Sequence, residues 1–299
     1  MYRDIEGRYH SIKVALKKLF DIRLLGRERS NNSLYGYILS REGNQPGTLY
    51  QVNAGVYIYD MTAAQLADLL ENVQRILDDY LLEGHGQDIW ALDYIAAEYQ
   101  RGTLNAFTNL SAQSPLYASQ TTLQQLLSSP AYQNQIASAY VSTYSDWKGI
   151  SDSARTDLAN VIAESIGRGV SPRETASIVS KRLDVSMSKA KTIAQSEQVG
   201  ALRQAQRNEV DWAHDRLGLN TAILWLSALK PTTRAWHRAR HGRTYTTQEV
   251  EDFYSQSGNS FNCYCANVPC LLDDDGNLYN EGLSQKLAKE REDWKPPTK

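Results

Sequence analysis

Cysteine is scarce, with three in 299 residues, all between Cys263 and Cys270. An odd number confined to so short a stretch excludes the disulfide framework of a small secreted fold and suits a chain made in a reducing cytoplasm. No run approaches the ~20 consecutive apolar residues that a membrane-spanning helix requires. The N-terminal MYRDIEGRYH has neither an apolar core nor a small-residue cleavage site, so no secretory leader is expected. No repeat of fixed period is visible, which excludes solenoids and propellers. Phenylalanine is also sparse, at 4 against 18 tyrosines. Tyrosine pairs an apolar body with a polar tip, so this bias suits surfaces that meet partners.

What is present describes a globular chain, 41% hydrophobic and 22% charged, long enough for two domains with cores of their own. The net charge of −2 argues against non-specific nucleic-acid binding by the whole chain, but the charge is unevenly spread. Pro172 to Thr244 holds 13 Lys/Arg against 6 Asp/Glu, a balance of +7 that leaves −9 elsewhere. Such separation allows one side to attract phosphate while another meets a protein.

Residues 1–29 read as a surface helix with Ile12, Leu16, Leu19 and Phe20 as its stripe. Residues 30–59 break that pattern. Asn31-Asn32 and Asn44-Gln45-Pro46-Gly47 are turn signals between short strand-like runs, which predicts a small hairpin or extended arm. A strong helix follows Met61-Thr62 and stops at Gly84-His85-Gly86, and another runs from about Asp88 to Ala112. Ser114-Pro115 and Ser129-Pro130 punctuate two short helices rich in amides, and Ser151 to Ile166 is amphipathic.

Ser171 to Cys270 organises the remainder. Ser171-Pro172-Arg173-Glu174 is a helix start. Ser186 or Ser188 offers a cap for a second helix that ends at Gly218, and Thr221 to Leu229 reads as an apolar strand. A short basic helix then carries His237 and His241, followed by Cys263-Tyr264-Cys265 and a strand from Asn267 to Leu272. Asp273 to Asn277 lacks the alternate ligands and closing glutamate of a calcium loop and reads as an Asp-Gly turn. Glu281 to Lys299 is a charged tail, a short helix with a flexible end.

His237 and His241 have the i, i+4 spacing of a metalloprotease helix, but Arg238 stands where that chemistry needs a glutamate base. Cys263, Cys265, Cys270 and His237 (or His241) are a candidate Cys₃His set for structural zinc. The single residue between the first two cysteines departs from the usual knuckle, so the spacing favours closure by packing. In that reading Trp225, Trp236 and Phe261 surround reduced cysteines, Arg234 pairs with Glu197, and no cofactor is needed. Arg234, Arg238, Arg240 and Arg243 are candidate phosphate contacts; on a helix Arg234, Arg238 and His241 share one face. The alternative is a solvated basic face answering Glu249, Glu251 and Asp252. Ser196-Glu197 has no second carboxylate, nucleophile–base pair or glycine-rich loop beside it, so no catalytic residue is assigned.

In order, Ser196-Glu197 on a helix, Trp225 on a strand, Thr233, Arg234, His237 and Gly242 in the basic segment, and Cys263 and Cys265 resemble the phage Mu F-type head morphogenesis proteins. Lys230, Thr232 and Tyr264 depart from that pattern, and no histidine precedes the cysteine pair. The resemblance implies a mainly α minor capsid protein of a tailed phage. It would have a helical partner-binding region over 1–150, an α+β module over 151–280 and a tail over 281–299. It further implies a place inside the virion at the portal vertex, with the portal protein, double-stranded phage DNA and a scaffold or major capsid protein as partners. Head assembly, genome packaging or ejection would be the role. A zinc hydrolase or toxin-like enzyme and a cytoplasmic nucleic-acid-binding protein are the alternatives.

Overall fold

A computed structural model describes residues 1–28, 36–40, 48–52, 57–83, 89–256 and 258–295. The described residues form ten helices and a small three-stranded antiparallel sheet toward the C-terminal end, the mainly α architecture with an α+β part that the sequence predicts. The expected boundary at residue 150 falls inside a helix. Two dense units draw on separated stretches, 1–90 with 144–191 and 91–143 with 192–299.

The first unit begins with α1 (Tyr2–Arg23), which buries Ile5, Tyr9, Ile12, Leu16 and Phe20 at helical spacing. β1 (Gly26–Glu28) pairs antiparallel with β4 (Tyr57–Tyr59), and between them β2 (Gly36–Ser40) pairs with β3 (Thr48–Val52). These pairs realise the expected hairpin, while its Asn31-Asn32 and Asn44-Gln45-Pro46-Gly47 turns lie outside the described residues. α2 (Ala63–Leu81) opens on a capping box: Thr62 Oγ1 accepts from Gln65 N, and Gln65 Oε1 accepts from Thr62 N. Its Leu69, Val73, Leu77 and Leu81 are fully buried. Its predicted stop at Gly84-His85-Gly86 lies outside the described residues.

α3 (Leu92–Gln113) belongs to the second unit, as do α4 (Pro115–Gln120), α5 (Leu123–Leu127) and the first turns of α6 (Pro130–Arg168). Ser129-Pro130 therefore opens a 39-residue helix rather than a short one. The stretch read as a separate helix from Ser151 is its continuation. Gly149 fails to break it because burial of Trp147, Ile150 and Ala154 outweighs propensity there. In the first unit Trp147 meets the edge of Trp90 at 4.8 Å between centroids, and Trp90 Nε1 donates to the Leu81 carbonyl.

α7 (Pro172–Leu217) is a single helix of 46 residues where two were expected. The Ser171 cap forms as predicted, Oγ accepting from Glu174 N. Ser186, expected to cap a second helix, instead hydrogen-bonds the Tyr9 hydroxyl at 2.8 Å. Lys13–Asp184 and Lys191–Glu6 ion pairs flank that contact. No Gly or Pro intervenes between Pro172 and Gly200, so nothing forces a break, and packing on α1 holds the serines in helix. Gly218, at φ +64°, ends the helix as its spacing predicts.

Within the second unit α3 and α7 cross closely at Gly102. A Cβ there would lie 2.3 Å from the Leu202 carbonyl oxygen and 2.8 Å from Ala205 Cβ. Nearby, the buried Tyr117 hydroxyl donates to Glu209 Oε2 at 2.9 Å. Burial drives the Glu209 carboxyl up from 4.5 to about 7, against the lowering effect of that hydrogen bond. The folded state thus keeps a proton that the unfolded chain gives up, so stability is fullest at the acid end and falls as pH rises from about 4.5 to 7. Glu209→Gln retains an acceptor for Tyr117 without titrating. In urea denaturation its stability relative to wild type should rise by on the order of 3 kcal/mol from about pH 4 to about pH 8. A difference that stays flat across that range would contradict the assignment.

Candidate functional site

β5 (Thr221–Leu226) is the centre of the C-terminal sheet, with order β6-β5-β7. α8 (Ala235–Arg238), β6 (Thr244–Tyr245), α9 (Thr247–Ser255), β7 (Ala266–Leu271) and α10 (Glu281–Asp293) complete the chain. Pro269 is tolerated in β7 because that strand is an edge, paired only with β5. Strand alternation sends Ile223 and Trp225 to one face, against Val210 of α7, Val250 and Phe253 of α9, and Cys263 and Cys265. Ala222, Leu224 and Cys270 point to the other face, against Leu287 of α10. With both faces covered the strand reads as a nearly continuous apolar run. The strand ends at Leu226, three residues before the expected Leu229.

Trp225 is fully buried, with the rings of His237, Tyr245, Phe253 and Tyr254 around it. Cys263 and Cys265 lie beside it, and both sulfurs stand 3.5 Å from His237 Nδ1. Residues two apart in extended chain share a face, so the single spacer directs the cysteines inward together while Tyr264 points out. Arg203, 3% exposed on α7, donates to the Cys265 carbonyl at 2.7 Å and the Cys263 carbonyl at 3.4 Å, and sits 3.3 Å from Cys263 Sγ. Its guanidinium lies 4.2 Å over the ring of Tyr254, which in turn stacks on Trp225. Hydrogen bonding from Cys265, with His237 and Arg203 adding, pulls the Cys263 thiol well below the ordinary range despite its burial. The same pairing pushes Cys265 upward. A cavity of about 290 Å³ opens against His237, Cys263 and Cys265, lined also by Thr232, Thr233 and Asn262.

Several expected placements change. α8 is a single turn, so His241 leaves the helix and does not share a face with His237. His241 Nδ1 accepts from Ser227 N at 3.0 Å, and Nε2 faces Glu290 at 3.1 Å. Cys270 lies on the far face of the sheet, its thiol donating to the Ala222 carbonyl and pushed up to about 12 by burial, so it cannot join the other two cysteines. Arg234 donates to the Phe261 carbonyl at 2.9 Å and faces His237, not Glu197. Trp236, on the single turn of α8, and Phe261, in the turn before Cys263, were expected in the core but are 55% and 46% exposed. Ser196 back-bonds the Thr192 carbonyl, and Thr233 N donates to the Lys230 carbonyl.

The arginines read as a phosphate-binding row are mostly engaged within the protein. Arg238 donates to the Arg291 and Trp294 carbonyls. Arg240 lies over the rings of Phe253 at 4.0 Å and Tyr245 at 4.4 Å. Arg243 alone among the four is exposed. The basic segment thus holds the C-terminal tail, which was expected to carry only a short helix and a loose end. Arg291 donates to the His241 carbonyl, and Trp294 Nε1 donates to the Leu229 carbonyl. Pro296 and Pro297 lie outside the described residues.

The arrangement defines an α+β module in which a three-stranded sheet separates α7 and α9 from α10, with a histidine, two cysteines and an arginine buried at its margin. Residues 156–268 match the family model described as Phage Mu protein F like protein, and this stretch of the chain is similar to that family. The family is one of phage head morphogenesis. No curated protein and no solved structure matches the chain. The sequence reading missed Arg203, although it lies seven residues before Val210, on the buried stripe of α7. A cation at a core position was the available signal.

Gly242 couples the basic segment to α10. Its φ of +72° disfavours any side chain, and a Cβ there would stand 2.5 Å from Leu287 Cβ. Gly242→Ala should destabilise the protein by roughly 2 kcal/mol or more, with limited proteolysis showing early loss of the segment after Gly276. Wild-type stability and a protected tail in that variant would contradict the coupling.

Proposed function

We propose that this chain is a minor capsid protein of a tailed phage, built into the head at the portal vertex, where it acts through protein contacts in head assembly and in genome packaging or ejection. The match over residues 156–268 carries the reading. A non-enzymatic role is part of this proposal, with Trp225 and Gly242 engaged in closing the module. Contacts with protein partners are favoured by exposed aromatics on this module. Trp236, Phe261 and Tyr264 are each about half exposed, and these residue types dominate interface energetics. Scaffold or major capsid protein would be met by the same kind of surface.

DNA contact would fall chiefly to Arg243, because Arg234, Arg238 and Arg240 place their guanidinium groups on carbonyls and rings. No helix of the described residues is long and apolar enough to cross a membrane. Mass spectrometry of purified heads and tails, from the phage genome that encodes this chain, tests the assignment. The protein should be found in heads, in low copy and in fixed ratio to the portal, and should co-purify with portal protein when the two are expressed together. Heads that lack it, or a protein confined to the infected cytoplasm, would overturn the assignment.

A further inference from the structure

We propose that His237 Nδ1, Cys263 Sγ and Cys265 Sγ bind a single Zn²⁺ ion whose fourth coordination position opens into the adjoining cavity. The three atoms lie within 4.8 Å of one another, and each His237–cysteine separation is 3.5 Å. Bond lengths of ~2.3 Å to sulfur and ~2.05 Å to nitrogen at a tetrahedral angle require an N···S separation of ~3.5 Å. Both His237–cysteine separations are therefore those that tetrahedral zinc needs, on a buried margin of the sheet. Two thiolates and an imidazole form a soft set that selects zinc over magnesium or calcium.

Arg203 supplies an independent observation. A guanidinium 3% exposed ordinarily faces a carboxylate, yet among the described residues none ion-pairs with Arg203. It donates instead to the carbonyls of both cysteines and sits 3.3 Å from Cys263 Sγ. A zinc-bound thiolate at Cys263 would supply the counter-charge at this position. An N–H donor against a ligating sulfur, with the backbone on either side of it clamped, is the outer-shell support that metal sites require. His237 is held equally firmly, being 2% exposed between Phe253 and Trp225. The cavity of about 290 Å³ touches all three ligands and leaves room for water as the fourth. Cys270 is excluded, since its sulfur lies on the opposite face of the sheet.

On binding, both cysteines ligate as thiolates, whatever thiol protons they still carry leave to solvent, and two S–Zn bonds and one N–Zn bond form; nothing is oxidised or reduced. The test uses the full-length reduced protein, freed of metal and titrated with Co²⁺ and then with Zn²⁺. One equivalent of cobalt should bind with a thiolate-to-metal charge-transfer band and tetrahedral d–d absorption, and zinc should displace it. The band should vanish in Cys263→Ser, Cys265→Ser and His237→Asn and persist in Cys270→Ser, with circular dichroism reporting the fold of each. Zinc should also raise the melting temperature of wild type. Wild-type protein that binds no stoichiometric metal would overturn the proposal whatever the variants do. So would a charge-transfer band that survives Cys265→Ser or that depends on Cys270.

Discussion

The C-terminal module depends on one buried cation. Arg203 projects from α7 into the space between the helix and the Cys263–Cys265 turn, where its planar fork meets two carbonyl oxygens and a sulfur while its face lies on Tyr254. Lysine would supply one of these contacts but not the fork and the stack together. Hydrogen bonds from a charged donor contribute about 1.5–3 kcal/mol each, and a buried turn without secondary structure has few other anchors. By fixing that turn, Arg203 sets the direction of both cysteines and leads the chain into β7.

From this constraint the rest of the module follows. Tyr254, held under the guanidinium, stacks on Trp225, whose ring also meets Phe253 and His237. Trp225 in turn positions the basic segment through its backbone, with Gly242 N donating to its carbonyl and its own N–H donating to the Arg243 carbonyl. The opposite face of the same strand receives Leu287, so α10 closes the sheet that α7 opened. Of the arginines that look from composition like a patch for phosphate, Arg234, Arg238 and Arg240 take part in this closure, while Arg243 is exposed. Charge count alone could not distinguish the two roles, because a guanidinium over a ring and one facing solvent contribute equally to a net charge.

Much of the fold was legible because its signals are local. The Ser171 cap, the Gly218 stop, the apolar β5 and the Asp-Gly turn closed by Asp273 Oδ1 each follow from chemistry within a few residues. The continuity of α7 was not, since serines at 186 and 188 cap a helix or ride along it depending on what packs there, here Tyr9. His241 was misplaced because helical spacing was extended past the single turn that forms. The proximity of His237 to Cys263 and Cys265 was legible in outline, as a candidate set, but the exclusion of Cys270 needed the register of β7 on β5. Arg203 and the tail contacts of Arg238 and Arg291 are long-range, and no pattern in the chain joins residues 50 to 62 positions apart.

The most direct test of the central role of Arg203 is backbone amide hydrogen exchange in Arg203→Lys, which preserves the charge and removes the fork. Protection over Cys263–Leu271 should fall by roughly ten-fold or more, with β5 following and α1 and α2 unchanged. An Arg203→Lys protein that keeps wild-type protection across that segment would show that the cysteine turn is held by something else.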